Sequence, residues 1–112
     1  MAWQNQFSTS NSTADVTILA APAASTSRMV PAGGIVISNL DTATINVTLQ
    51  VNDNSTDRIV YPDIEILPDD VWTNQKSIHV LDATTQTLEI YLAAAVAANQ
   101  ASISVTYRDE TQ

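Results

Sequence analysis

The sequence predicts an all-β chain: an antiparallel β-sandwich of about eight strands, jelly-roll or immunoglobulin-like, preceded by an extended N-terminal arm. Three observations predict it. Apolar and polar residues alternate with period two in at least four segments, turn-forming clusters recur at short intervals, and no apolar stripe of period 3.6 runs beyond three turns.

Alternation is clearest in TINVTLQV, where Ile45, Val47, Leu49 and Val51 point one way and Asn46, Thr48 and Gln50 the other. It returns in KSIHVL (Ile78 and Val80 against Ser77 and His79), in TLEIYL (Leu88, Ile90, Leu92) and in SISVTYR (Ile103, Val105, Tyr107). Weaker strands begin at Asp15 (DVTILA), Gly34 (GIVISNL), Asp57 (DRIVY) and Ile64 (IEIL). The breaks carry turn chemistry: APAAS at Ala21, PAGG at Pro31, NLDTA at Asn39, NDNST at Asn52, LPDD at Leu67, TNQ at Thr73, DATTQ at Asp82 and AANQ at Ala97. LAAAVAANQ has the composition of a short helix, but its flanking strands make one turn or a bent strand end the better expectation. Eight short strands hide one oily face by packing as two sheets. Residues 15–112 are read as that domain, and residues 1–14 as the arm.

Composition removes several function classes. The 112 residues carry twelve acids against four Lys and Arg, a net charge of −8, which repels nucleic-acid phosphates and anionic membrane surfaces. There is no cysteine, hence no disulfide, thiolate metal site or cysteine nucleophile. With two glycines, Gly33 and Gly34, no phosphate-cradling loop can be built. Charged residues make up only 14% of the chain, where globular domains average about 25%. The strands' polar faces are instead Ser, Thr, Asn and Gln, which can pack against a neighbouring protein without desolvating charge.

Candidate chemistry is sparse. His79 is the one histidine and reads as a surface residue. Asp63, Glu65, Asp69 and Asp70 gather around two prolines near Trp72; a glycosidase needs two carboxylates at a set separation, but a solvated turn explains the same residues. NDNSTD offers oxygen ligands at alternate positions, as calcium loops do, yet lacks the central glycine and closing glutamate, and reads equally as a hairpin. No catalytic, cofactor or metal residue is assigned. After Met1, the arm MAWQNQFSTSNST sets Trp3 and Phe7 among otherwise polar or small residues, and these aromatics are expected to anchor it on a partner.

The stretch GIVISNLDTATINVTLQVND, Gly34 to Asp53, resembles the strand, Asn-containing turn and strand of small β-sandwich decoration (cement) proteins on tailed-bacteriophage heads, with a looser similarity over residues 28–108. That resemblance implies a non-enzymatic virion protein on the capsid exterior, made in the host cytoplasm. It would bind the major capsid protein of the assembled head and bridge its subunits, as a homotrimer. Two alternatives stand beside it: a carbohydrate-binding fibre, tail or adhesin module using Trp72, Tyr91 and nearby acids, and a tail or neck structural protein.

Overall fold

A computed structural model describes the backbone of residues 2–81, 84–96 and 101–111, and the side chains of those ranges except 78–81 and 111. The described residues form ten strands and no helix: β1 Trp3–Ser10, β2 Val16–Leu19, β3 Thr26–Val30, β4 Ile35–Asn39, β5 Ile45–Asp53, β6 Thr56–Ile66, β7 Val71–Thr73, β8 Ile78–Leu81, β9 Gln86–Leu92 and β10 Ala101–Thr111. Two expected strands, DRIVY and IEIL, are one bulged strand, β6; β1, β3 and β7 are additional to the expectation. Residues 93–96 bend without forming a helix, and the turns expected at Asp82 and Ala97 fall largely outside the described residues.

The strands form two antiparallel sheets packed as a sandwich. The smaller has the order β2-β9-β5-β6. In the larger, of six strands, β10 is the axis. Ala101–Val105 pair with both β1 and β4, and Arg108 pairs with both Trp3 and Met29. A strand has two edges, so β4 and β3 must lie end to end along one of them, with β1 along the other. β7 extends the sheet beyond β4, and β8 beyond β3.

The alternation predicts the core well. Ile45, Val47, Leu49, Leu88, Ile90, Leu92, Ile103 and Val105 are essentially inaccessible, joined by Ile18, Leu19, Ile35, Ile37 and Ile66. Each contributes roughly 1.5–3 kcal/mol on leaving water. Gln50 is the exception: it stands on the outward face of β5, between Glu89 and Ile59 in register, yet is only 2% exposed. Its Nε2 donates to Glu89 Oε1 at 3.1 Å, so its burial leaves that donor paired.

Local chemistry sets the turns. Asn54 and Ser55 form the two-residue β5–β6 loop with φ of 50° and 72°, the paired left-handed geometry that matches hairpin twist. Gly33 takes φ 76° in the PAGG turn. A Cβ on Gly34 would meet Pro31 Cδ at 2.8 Å and the Thr106 carbonyl at 3.0 Å, so that turn closes only without a side chain.

Two buried asparagines replace missing ladder bonds. Asn74 Oδ1 accepts from Ile35 N at 2.8 Å while its Nδ2 donates to the carbonyls of Pro31 (2.9 Å) and Lys76 (2.8 Å), tying the β3–β4 turn to the β7–β8 connection. Asn39 does the same at the other end, donating to the Ala43 and Ile66 carbonyls and accepting from Asp41 N. At the open end, Arg28 Nε donates to Asp109 Oδ1 at 2.8 Å and Nη1 to the Ala20 carbonyl, and the guanidinium covers the Tyr107 ring. It joins the two sheets.

Candidate functional site

The leading segment, expected as an arm over residues 1–14, is extended from Trp3 to Ser10 and lies on the chain's own β10 in unbroken register. β10 offers a full edge, and backbone pairing orders the segment without a second molecule. What β1 then displays is unusual. Period two divides it into Trp3, Asn5, Phe7 and Thr9 on one face and Gln4, Gln6, Ser8 and Ser10 on the other.

Burial of apolar surface would turn the aromatics inward. The structure does the reverse: Trp3 is 49% and Phe7 74% exposed, while Ser8 is half-buried and Ser10 buried. Gln6 Oε1 accepts from Ala20 N (3.1 Å) and Gln4 Oε1 from the Tyr107 hydroxyl (3.3 Å). The Ser8 and Ser10 hydroxyls are buried with no hydrogen-bond partner among the described residues. A one-residue slip would exchange the faces, so the register holds an arrangement that burial alone disfavours.

The aromatics stand on the outer face of the six-stranded sheet. Register places Phe7 in a row with Ser104, Val36 and Thr73, and Thr9 in a row with Ser102, Ser38 and Val71. Asn5 Oδ1 accepts from Thr106 Oγ1 at 2.7 Å, and the Arg108 guanidinium lies 5.0 Å from the Trp3 ring centre. The charged residues of β1, β10 and β4 that share this face are Arg108 and Glu110, and they pair with each other at 2.6 Å. Acids collect elsewhere, in the turns and on the four-stranded sheet, where Glu89 and Glu65 flank β5 on its outward side.

The other candidates do not assemble into a site. Trp72 packs against the core and meets Tyr61 edge to face at 5.1 Å, whereas Tyr91 stands on the outward face of the four-stranded sheet opposite Thr48. The structure does not bring these two aromatics together. Asp69 (φ 60°) and Asp70 belong to the β6–β7 turn, where Asp70 Oδ1 caps Val71 N at 2.8 Å; Asp63 (φ 50°) sits at the β6 bulge. NDNSTD is the β5–β6 hairpin, closed by Asn52 Nδ2 on Asp57 Oδ1 at 2.7 Å.

Beside that hairpin the Asp53 carboxylate accepts from Thr85 Oγ1 (2.8 Å) and Gln86 Nε2 (3.3 Å). Chiefly the Thr85 bond, then the Gln86 bond, hold its pKa below the usual aspartate value; partial burial opposes them and the Arg58 charge adds to them. Among the described residues no group of three or more His, Asp or Glu side chains could share a metal ion. The His79 side chain lies outside the described residues. A shallow groove of about 400 Å³ runs between the 41–46 segment and residues 93–96, lined mostly by Thr and Ala, with Asp41 at its border.

No protein-family model matches the chain, and no curated protein is similar to it. Among solved structures, a chain of the cyanophage Pam1 capsid asymmetric unit is similar over 94% of this chain and 83% of its own, at 16% identity and a TM-score of 0.41. A similarity of that degree establishes neither a family nor a function.

Proposed function

We propose that this chain is a non-enzymatic structural component of a tailed-phage virion, a decoration or cement protein that binds the assembled head from outside and bridges its capsid subunits. The observation that carries the reading is the outward display of Trp3 and Phe7 on a nearly uncharged sheet face, while the Ser8 and Ser10 hydroxyls on the opposite face of β1 are buried with no partner among the described residues. Large aromatics over a field of Ser and Thr can be covered by a protein surface with little charge to desolvate, and aromatic anchors dominate interface energetics. The sequence resemblance of Gly34–Asp53 to decoration modules supplies the identity of the partner, a capsid subunit; a homotrimer, which rests on that resemblance alone, would form on the shell and not in the free chain. Each copy contributes a modest bridge, and many bridges on one shell act together through multivalency.

The test is cosedimentation of the purified chain with shells of the phage that encodes it, stripped of this protein. Wild type should pellet with the shells, and a Trp3→Ala/Phe7→Ala double variant should stay in the supernatant with an unchanged β-sheet circular-dichroism spectrum. Equal pelleting of the two would remove the docking role from these aromatics. Wild type that never pellets, but binds a defined glycan tightly, would replace the shell reading with the adhesin one.

A further inference from the structure

Edge strands invite other strands to pair with them, and most edges in this sandwich are guarded. β6 carries Asp57, Arg58, Pro62, Asp63 and Glu65 and is broken by bulges. β2, β7 and β8 are only four, three and four residues long. Charges, proline, bulges and shortness are the standard means of keeping an edge from pairing. β1 has none of them: eight residues, no charge, no proline, no break in register. Among the described residues, no backbone group of β1 has a backbone partner outside the β10 ladder.

The sequence of that edge is self-complementary. Trp3-Gln4-Asn5-Gln6-Phe7 reads aromatic, Gln, Asn, Gln, aromatic in both directions. Antiparallel pairing of two such strands about a two-fold axis through Asn5 sets Trp3 opposite the partner's Phe7, twice, and Gln4 opposite the partner's Gln6, twice. Facing residues have the same parity, so all four aromatics lie on the one outer face, where cross-strand aromatic pairs stabilise a sheet. In a chain of net charge −8, the uncharged edge is also where two copies can approach without juxtaposing acids.

We infer that β1 is a self-association edge, on which the β1 strand of a second copy of this chain pairs antiparallel about a two-fold axis at Asn5. The six-stranded sheet then continues from one copy into the next and presents Trp3, Phe7 and their two mates as a single strip. This inference stands apart from the shell reading, because it concerns the edge of β1 and the purified chain alone. One strand pair buries less than the ~1,200 Å² typical of stable complexes, so association is expected to rise with concentration. On a surface that holds copies side by side, the effective concentration would favour it further.

The chain has no cysteine, which makes the geometry directly testable. Directly opposed residues of an antiparallel pair have Cα atoms about 4.5–5.5 Å apart, inside the roughly 4.4–6.8 Å range a disulfide spans. Asn5→Cys should therefore crosslink to its own mate under mild oxidation, whereas Thr9→Cys, whose mate is displaced along the strand, should stay monomeric on a non-reducing gel. In sedimentation velocity the unmodified chain should shift from monomer to dimer with concentration. Asn5→Lys, which sets two ammonium groups face to face on the axis and gives up only the exposed bond from the Thr106 hydroxyl, should remain monomeric with an unchanged β-sheet circular-dichroism spectrum. The inference is overturned if the two cysteine variants crosslink equally or not at all, if Asn5→Lys associates like wild type, or if the chain is a trimer indifferent to it. Loss of shell binding with this dimer intact would instead sink the proposed function and leave the edge pairing standing.

Discussion

The Arg108 guanidinium lies over the ring of Trp3, 5.0 Å from its centre, while its Nη2 donates to Glu110 Oε1 at 2.6 Å. One end of the aromatic strip is thereby pinned to β10 and pre-shaped, whereas Phe7, whose row neighbours are Ser104, Val36 and Thr73, stands free. The stacking contributes about 0.5–1 kcal/mol at a half-exposed site. Trp3→Ala removes that stacking together with the half of the indole that is out of water, so unfolding stability is expected to fall by about 1–3 kcal/mol in urea titrations. Its effect on shell cosedimentation should be far larger. A variant that loses binding and stability in proportion would show that Trp3 acts through the fold.

Asn74 is expected to be the costliest polar position. Asn74→Ala strips the side-chain partner from Ile35 N and from the Lys76 carbonyl, while the Pro31 carbonyl keeps Gly34 N at 2.9 Å. Because unpaired buried groups each cost about 1–3 kcal/mol, a loss of about 2–4 kcal/mol is expected from chemical denaturation. Asn74→Asp should be no better, since its carboxylate would face two carbonyl oxygens.

Ser10→Ala should go the other way. Its hydroxyl is buried with no partner among the described residues, so removing it sheds a desolvated group and breaks none of the described bonds. Stability is expected to rise by up to about 1 kcal/mol, read as a higher denaturation midpoint at constant slope. A midpoint that falls would mean the hydroxyl is satisfied in solution.

Asp53 supplies a pH dependence. Its pKa is depressed in the folded state, chiefly by the Thr85 hydroxyl and next by Gln86. A depressed carboxyl contributes stability that is fully present above the unfolded aspartate pKa and is lost as pH falls through the folded one. Thr85→Ala should move the Asp53 titration, followed by carbonyl-carbon NMR, upward toward the ordinary aspartate range. Identical titrations in the two proteins would contradict the hydrogen bond.

The sequence alone carried the sandwich and most of its core. A period of two is a local property, and where one face is wholly aliphatic, as in Ile45-Val47-Leu49 or Ile103-Val105, the inward side needs no tertiary information. The hairpin at Asn54-Ser55 was legible for the same reason, since its geometry is set by two residues. β3 was not. Of its inward positions Val30 joins the core but Arg28 does not, and the Arg28 charge, which disguises the alternation, is made tolerable by Asp109, the Ala20 carbonyl and the Tyr107 ring, all distant in sequence except Ala20.

β1 shows where tertiary structure decides. Periodicity divides Trp3-Gln4-Asn5-Gln6-Phe7 into two faces but does not say which one faces in, and the usual rule would choose the aromatic one. The pairing with β10 chose the other: in this register Gln6 accepts from Ala20 N, Gln4 from the Tyr107 hydroxyl and Asn5 from Thr106, and Arg108 covers Trp3, partners that the rest of the chain brings to this edge. Composition determined an acidic, cysteine-free double layer of strands. The edge left unguarded and the aromatics left in water were decided only when β10 met β1 across the length of the chain.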